Sequence, residues 1–209
     1  MRRKIVLAAA AVSAAGVASC WPQAVVCLLR MAFPGLIWEL STTERAVAIS
    51  FDDGPDPVYT PQVLEILREQ GVKATFFLVG ERVRRSPELR QRIGEEGHEV
   101  GNHSDSWRRS VQLSATEFER DLLRAEQSLG LGSGRKLFRP AGGWIRGSQL
   151  RVLHKHGYRA VLGSPFAFDP YRPPRKYIEW AIGRGLKRGA IIVMHDSGGD
   201  RFVKLSEYL

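Results

Sequence analysis

AVAISFDDGPDP, residues 46–57, decides the fold. Its first half, AVAISF (46–51), reads as a buried strand. The strand breaks off in two adjacent carboxylates, Asp52 and Asp53, and a Gly-Pro pair follows. Neighbouring side chains diverge, so the two acids can serve different tasks. Two close carboxylates also repel, which raises one pKa unless a metal or an arginine neutralises them. The plain alternative is an Asp-Gly turn carrying an incidental acid.

Working outward, strands and helices alternate. TPQVLEILREQG (60–71) reads as a helix with Val63, Leu64 and Leu67 on one face and Gly71 as its stop. ATFFLVG (74–80) is a strand. PELRQRIGEEG (87–97) is a helix opened by proline and closed by glycine. HEVGNH (98–103) is a short strand, and Ser114 with Glu117 forms a capping box before a helix running to about Leu129. KLFRP, RAVLGS and AIIVMHD are further strands, separated by the helices QLRVLHKHG and KYIEWAIGRGL. This alternation implies a parallel α/β fold, and both a barrel and a doubly wound sheet fit it. In either, chemistry sits at the carboxyl ends of the strands. Those ends carry Asp52 and Asp53, then His103, Arg139, Asp169, and His195 with Asp196.

With these residues in view, the chain resembles the polysaccharide deacetylase family, the NodB-homology or carbohydrate esterase 4 group. SFDDGP at 50–55 matches that family's first motif in full. HSDSW at 103–107 matches the first half of an HSxxxH-like second motif, and RPAGG at 139–143 is a variant of the third. Asp169 in SPFAFDP stands for the fourth, although Pro170 follows it where a tryptophan is common. MHD at 194–196 matches an LHD-like fifth. The likeness spans about residues 45–205. It implies a distorted (β/α) barrel of about seven strands.

The resemblance also implies roles, residue by residue. Asp52 would be the general base and Asp53 a metal ligand. His103 would be a second ligand to a divalent metal, zinc foremost. Arg139 would pair with Asp52 and hold its pKa down. His195 would be the general acid and Asp169 its orienting partner. The Gly142 amide would help bind the oxyanion. Such an enzyme would remove N- or O-acetyl groups from a polysaccharide or glycolipid, and the chemistry is coherent: amide hydrolysis needs an activated water, a stabilised oxyanion and a proton for the nitrogen.

One ligand is missing. The family's metal triad is Asp-His-His, and the second histidine position holds Trp107, whose ring nitrogen only donates. Three readings stay open. Asp105, Ser104 or water supplies the third ligand; two ligands hold the metal weakly; or the site is degenerate and the protein is a glycan-binding pseudoenzyme. Trp107 and Trp144 are candidate sugar-stacking platforms or, equally, wall-packing residues. His98 reads as structural, and His154 and His156, two apart on a helix, face different ways. Asp196 reads as an acceptor for backbone amides.

The chain has 209 residues, 44% of them hydrophobic, enough for one substantial core. Its formal charge of +9 suits anionic neighbours such as a membrane surface or an acidic glycan, or else a solvated basic face. No nucleic-acid signature occurs, so no nucleic-acid partner is expected. The two cysteines, Cys20 and Cys27, lie outside the expected domain. Arg2, Arg3 and Lys4 precede an uncharged stretch at 5–29 that reads as a signal or membrane anchor. This places the remainder outside the cytoplasm, with a lipoprotein cleaved at VASC (17–20) or a secreted protein as alternatives. The expected division is an anchor at 1–29, a linker at 30–44 and the catalytic domain at 45–209, with a final helix shorter than the family's.

Overall fold

β1 (Ala48–Asp52) runs parallel to β2 (Thr75–Leu78) on one side and to β6 (Ile191–His195) on the other. Around it the sheet continues in the order β5-β4-β3-β2-β1-β6, all parallel, through β3 (Glu99–Asn102), β4 (Lys136–Phe138) and β5 (Tyr158–Ala160). The computed structural model describes residues 30–31, 33, 35–166, 169 and 174–197.

Period-two alternation sorts each strand's side chains between two faces. Phe51, Phe76, Leu78, Ile192 and Met194 point outward into a cluster with helical residues. Those helices include α1 (Tyr59–Glu69), α3 (Pro87–Glu95), α4 (Ala115–Leu129) and α6 (Arg175–Gly185). The interior face carries Ala48 and Phe77 in a second apolar cluster with Val161 and Ile191. The short α2 (Gly80–Arg85) adds Val83 to the outer cluster, and α5 (Gly147–Lys155) follows β4 in the chain. The capping box expected at Ser114 and Glu117 is present, and Gly130 ends α4 in the left-handed conformation.

Six strands form the sheet among the described residues, where about seven were expected. The gap between β5 and β6 is spanned by irregular chain. Ser164 and Phe166 bridge to Ile191 and Val193 of β6. Pro165 has no N–H to extend a ladder, so its carbonyl alone takes part, accepting from Val193 N at 3.0 Å. Gly163 makes the approach possible: a Cβ there would sit 2.9 Å from the Ile191 carbonyl oxygen. This closure segment leads the chain directly to Asp169.

The chain divides into two units at Gly35 and Leu36. Residues 36–40, expected as linker, belong to the second unit. Leu36 and Trp38 are buried, Ile37 N donates to Ala160 O and Leu40 N donates to Gly189 O. Apolar side chains and backbone groups that tie to both sheet edges make this stretch part of the barrel wall. The expected anchor at 5–29 and the chain end at 198–209 lie outside the described residues. Among the described residues no helix is long and apolar enough to cross a membrane.

Gly163→Ala should lower stability by about 1–3 kcal/mol through forced overpacking. Gly132→Ala, with open space around it, should stay within about 0.5 kcal/mol of wild type. Equal denaturation midpoints for the two variants would contradict the closure described here.

Candidate active site

The carboxyl ends of β1, β3 and β6, with the residue just beyond β4, deliver the titratable groups to one place. Asp52 is the last residue of β1 and is register-paired with His195. Its Oδ1 lies 2.6 Å from Arg139 Nη1, and both residues are buried. The same Nη1 donates to Ser50 Oγ at 2.9 Å, while the guanidinium lies 4.0 Å from the Phe77 ring centroid. Arg139 Nη2 is buried with no hydrogen-bond partner among the described residues. It is a donor left open for water or substrate.

Asp53 takes φ 74°, an uncommon conformation for a non-glycine residue, and so leaves the strand's alternation. Its carboxylate therefore meets a different partner from that of Asp52. Asp53 Oδ1 lies 3.2 Å from His103 Nε2. Burial alone would raise the Asp53 pKa, but the hydrogen bond and charge of His103 hold it below the ordinary carboxylate value. Ser104, after His103, also has a positive φ of 75°, and its N–H donates to Asn102 Oδ1.

The His103 tautomer follows from its other nitrogen. Nδ1 lies 2.9 Å from the Arg139 carbonyl, which can only accept, so Nδ1 carries the proton. Nε2 then faces the Asp53 carboxylate either as N–H or as a lone pair that shares a cation with it. Burial pulls the His103 pKa down, yet the charges of Asp52 and Asp53 raise it overall. A histidine fixed through a backbone carbonyl, with its second nitrogen turned to a carboxylate, is the outer-shell pattern of a metal ligand. These two donors fit a divalent cation. Among the described residues no third His, Cys, Asp or Glu joins them.

Asp105 does not supply the third ligand. Arg84 Nη2 donates to its Oδ2 at 3.0 Å and Arg124 Nε lies 3.2 Å from the same oxygen. Two guanidiniums from α2 and α4 thus hold its carboxylate. Ser104 Oγ is buried without a partner among the described residues. Trp107 is 52% exposed, with the Arg82 guanidinium 4.7 Å from a ring centroid, so its indole is not wall packing. Trp144 is likewise exposed, and Gly142 precedes it in the turn Ala141–Gly143.

On the opposite flank, His195 Nδ1 lies 3.0 Å from Asp169 Oδ1, and the His195 backbone N–H donates to Asp169 Oδ2 at 2.7 Å. Phe166, from the closure segment, meets the imidazole edge to face. Burial would lower the His195 pKa, but Asp169 together with the nearby Asp52 and Asp53 raises it to about 9. Asp196 does not serve only backbone amides. It accepts the Thr60 hydroxyl at 2.6 Å, and burial pushes its pKa up to about 7. His98 is structural, accepting from Ala74 N, and His156 pairs with Glu119.

Sequence reasoning missed Ser50, Phe77, Phe166 and Arg82. Ser50 alone carried a signal, since it lies two residues before Asp52 and therefore on the same strand face. The others depend on contacts between separate elements.

The family model for polysaccharide deacetylase matches residues 39–161. A peptidoglycan-N-acetylglucosamine deacetylase of Bacillus cereus is 39% identical over 168 residues, 78% of each chain. A chitooligosaccharide deacetylase of Sinorhizobium fredii is 34% identical over 159 residues, 74% of each chain. Among solved structures, the Bc1960 peptidoglycan N-acetylglucosamine deacetylase superposes with a TM-score of 0.78 at 28% identity, covering 83% of this chain and 82% of that one. BA3943 of Bacillus anthracis, described as a family pseudoenzyme, superposes with a TM-score of 0.74 at 25% identity, covering 84% of this chain and 61% of its own. A BA3943 mutant with restored enzymatic activity has also been solved. The chain described here belongs to the polysaccharide deacetylase family, carbohydrate esterase family 4.

Proposed function

We propose that this protein is a metal-dependent deacetylase that hydrolyses the N-acetyl group of an aminosugar glycan. One observation carries the reading. Two buried and separately oriented pairs, Asp52 with Arg139 and His195 with Asp169, flank the Asp53–His103 donor pair. A fold kept for binding alone has no need of an acid and a base each held by its own buried partner beside a cation site.

Asp53 and His103 hold the cation, with zinc the metal to test first. When bound, it supplies Lewis acidity at the acetyl carbonyl. Asp52, paired with Arg139, accepts a proton from the attacking water. The water oxygen bonds to the acyl carbon and the C–N bond breaks. His195 delivers its proton to the departing nitrogen, so acetate and a free amine result. The Gly142 amide is the candidate oxyanion donor. The homologues' named activities on peptidoglycan and chitooligosaccharides support a glycan substrate. The basic start and apolar stretch at 5–29 support an anchor that holds the domain outside the cytoplasm, with a lipoprotein or a secreted form as alternatives.

The pseudoenzyme reading has its own observation, the indole at position 107 beside only two converging ligands. Acetate release by the wild type separates the two, and the role of position 107 is tested by Trp107→His. Measured by calorimetry, it should tighten divalent-metal binding at least about 10-fold, the lower end of what even an outer-shell partner contributes. Acetate release should rise in parallel. No acetate release from the wild type, whether or not Trp107→His restores it, would favour the pseudoenzyme.

Asp52→Asn should cut kcat by about 100- to 10,000-fold, the usual contribution of a general base, and leave metal affinity nearly intact. Asp53→Asn should weaken both. Full activity in both variants would refute these roles.

His195 should keep its proton until pH approaches about 9, and the rate should fall above that. Because the folded pKa is raised above the ordinary 6.5, the stability contributed by this pair is complete below 6.5 and lost as pH rises through about 9. In Asp169→Asn the imidazole titration followed by NMR should move down. An unchanged titration would show that Asp169 does not hold the proton.

A further inference from the structure

Helix α6 carries an exposed surface that the reaction does not use. We propose that α6 lies against an anionic phospholipid bilayer and fixes how the domain sits on it. The inference rests on the anchor reading of residues 5–29 and goes beyond it, because it adds a second contact, made by the folded domain itself.

One side of α6 is spent on the core. Ile178 and Ala181 are buried, and Ile178 joins the outer cluster with Ile182 packed against it. The other side presents Tyr177 and Trp180, their ring centroids 5.5 Å apart, with Trp180 40% exposed. Leu186, just past the helix, is exposed as well. Basic side chains surround this apolar strip. From 174 to 190 the chain carries Arg175, Lys176, Arg184, Lys187 and Arg188 against one acid, Glu179. Glu179 pairs with Arg175, and Glu39 pairs with Lys187. Lys176, Arg184 and Arg188 pair with no carboxylate among the described residues. Arg184 lies 5.4 Å from the Trp180 ring centroid, and Arg188 Nη1 donates to the Thr43 carbonyl. Neither contact cancels the positive charge.

This surface has the chemistry of a headgroup layer. Tyr and Trp rings settle where hydrocarbon meets water. Lys and Arg lay their stems along such rings and reach lipid phosphates with their charged ends. An acidic protein would also suit the cations, but the chain's own path selects the bilayer. Six residues, 30–35, separate the apolar stretch from Leu36, and they span at most about 20 Å. The chain then runs into the domain beside α6. Leu40 N donates to Gly189 O at 2.7 Å, four residues past the helix end, and Lys187 meets Glu39. A tether that short keeps the α6 flank near the membrane. Because α6 packs on the outer face of the sheet, docking through it leaves the strand carboxyl ends uncovered.

The test uses the full chain reconstituted in lipid vesicles that contain brominated phosphatidylcholine, which quenches only tryptophans at the bilayer. One set of vesicles also contains phosphatidylglycerol, and the other is neutral. On the anionic vesicles the wild type should lose more emission than Trp180→Phe. That difference isolates Trp180 from the other four tryptophans, Trp21 in the apolar stretch included. It should vanish on neutral vesicles and above about 0.5 M salt. Lys176→Gln combined with Arg188→Gln should lower the docked population about 5-fold for each basic side chain removed. Equal quenching of wild type and Trp180→Phe, with the chain still on the vesicles, would overturn the docking and leave the anchor standing. No association with either vesicle would overturn both. A difference that persists on neutral lipid or in high salt would overturn the match to anionic headgroups. Trp180 shielded from aqueous acrylamide yet not quenched by the brominated lipid would show that a protein surface covers α6, and would overturn the proposal too.

Discussion

A carboxylate and a guanidinium, both almost wholly removed from water, lie 2.6 Å apart at the end of β1. The rest of the site depends on this pair. Breaking a buried ion pair by removing one partner costs about 3–5 kcal/mol, because the other charge is left uncompensated. Asp52 and Arg139 are therefore held to one geometry. Arg139 passes that constraint on. Its guanidinium lies over Phe77, and its backbone carbonyl fixes the proton on His103 Nδ1. A single residue thus orients the base through its side chain and the candidate metal ligand through its main chain.

Around this centre the backbone leaves its ordinary conformations at the residues that matter. Asp53 and Ser104 are the two non-glycine residues with positive φ among the described residues, and they sit at the ends of β1 and β3. Such conformations cost of order 1–3 kcal/mol each and persist where surrounding structure enforces them. Here they turn Asp53 away from Asp52, so that one acid meets an arginine and the other a histidine. The closure segment does comparable work on the other flank. It meets β6 through isolated bridges and brings Phe166 and Asp169 against His195.

Much of this was legible in the sequence. Strand-helix alternation gives the parallel sheet, and apolar runs that end in Asp52, His103 and His195 locate the reacting end. What was not legible depends on distant pairs. Spacing alone makes Asp105 a reasonable third ligand, but Arg84 and Arg124 come from two helices remote in sequence and engage its carboxylate first. Residues 36–40 read as linker because a five-residue stretch shows no clear period, and their backbone partners, Ala160 and Gly189, lie far along the chain. The substitution at 107 was visible, but its consequence was not. Nothing in the local sequence shows that Arg82 stacks on that indole.

The central claim is that Asp53 and His103 form a working cation site despite the indole at 107. Zinc stoichiometry and affinity on the full chain, measured beside His103→Ala, test it most directly. The account predicts one zinc per chain in the wild type and its loss in the variant. No zinc in either protein, or the same zinc in both, would contradict it.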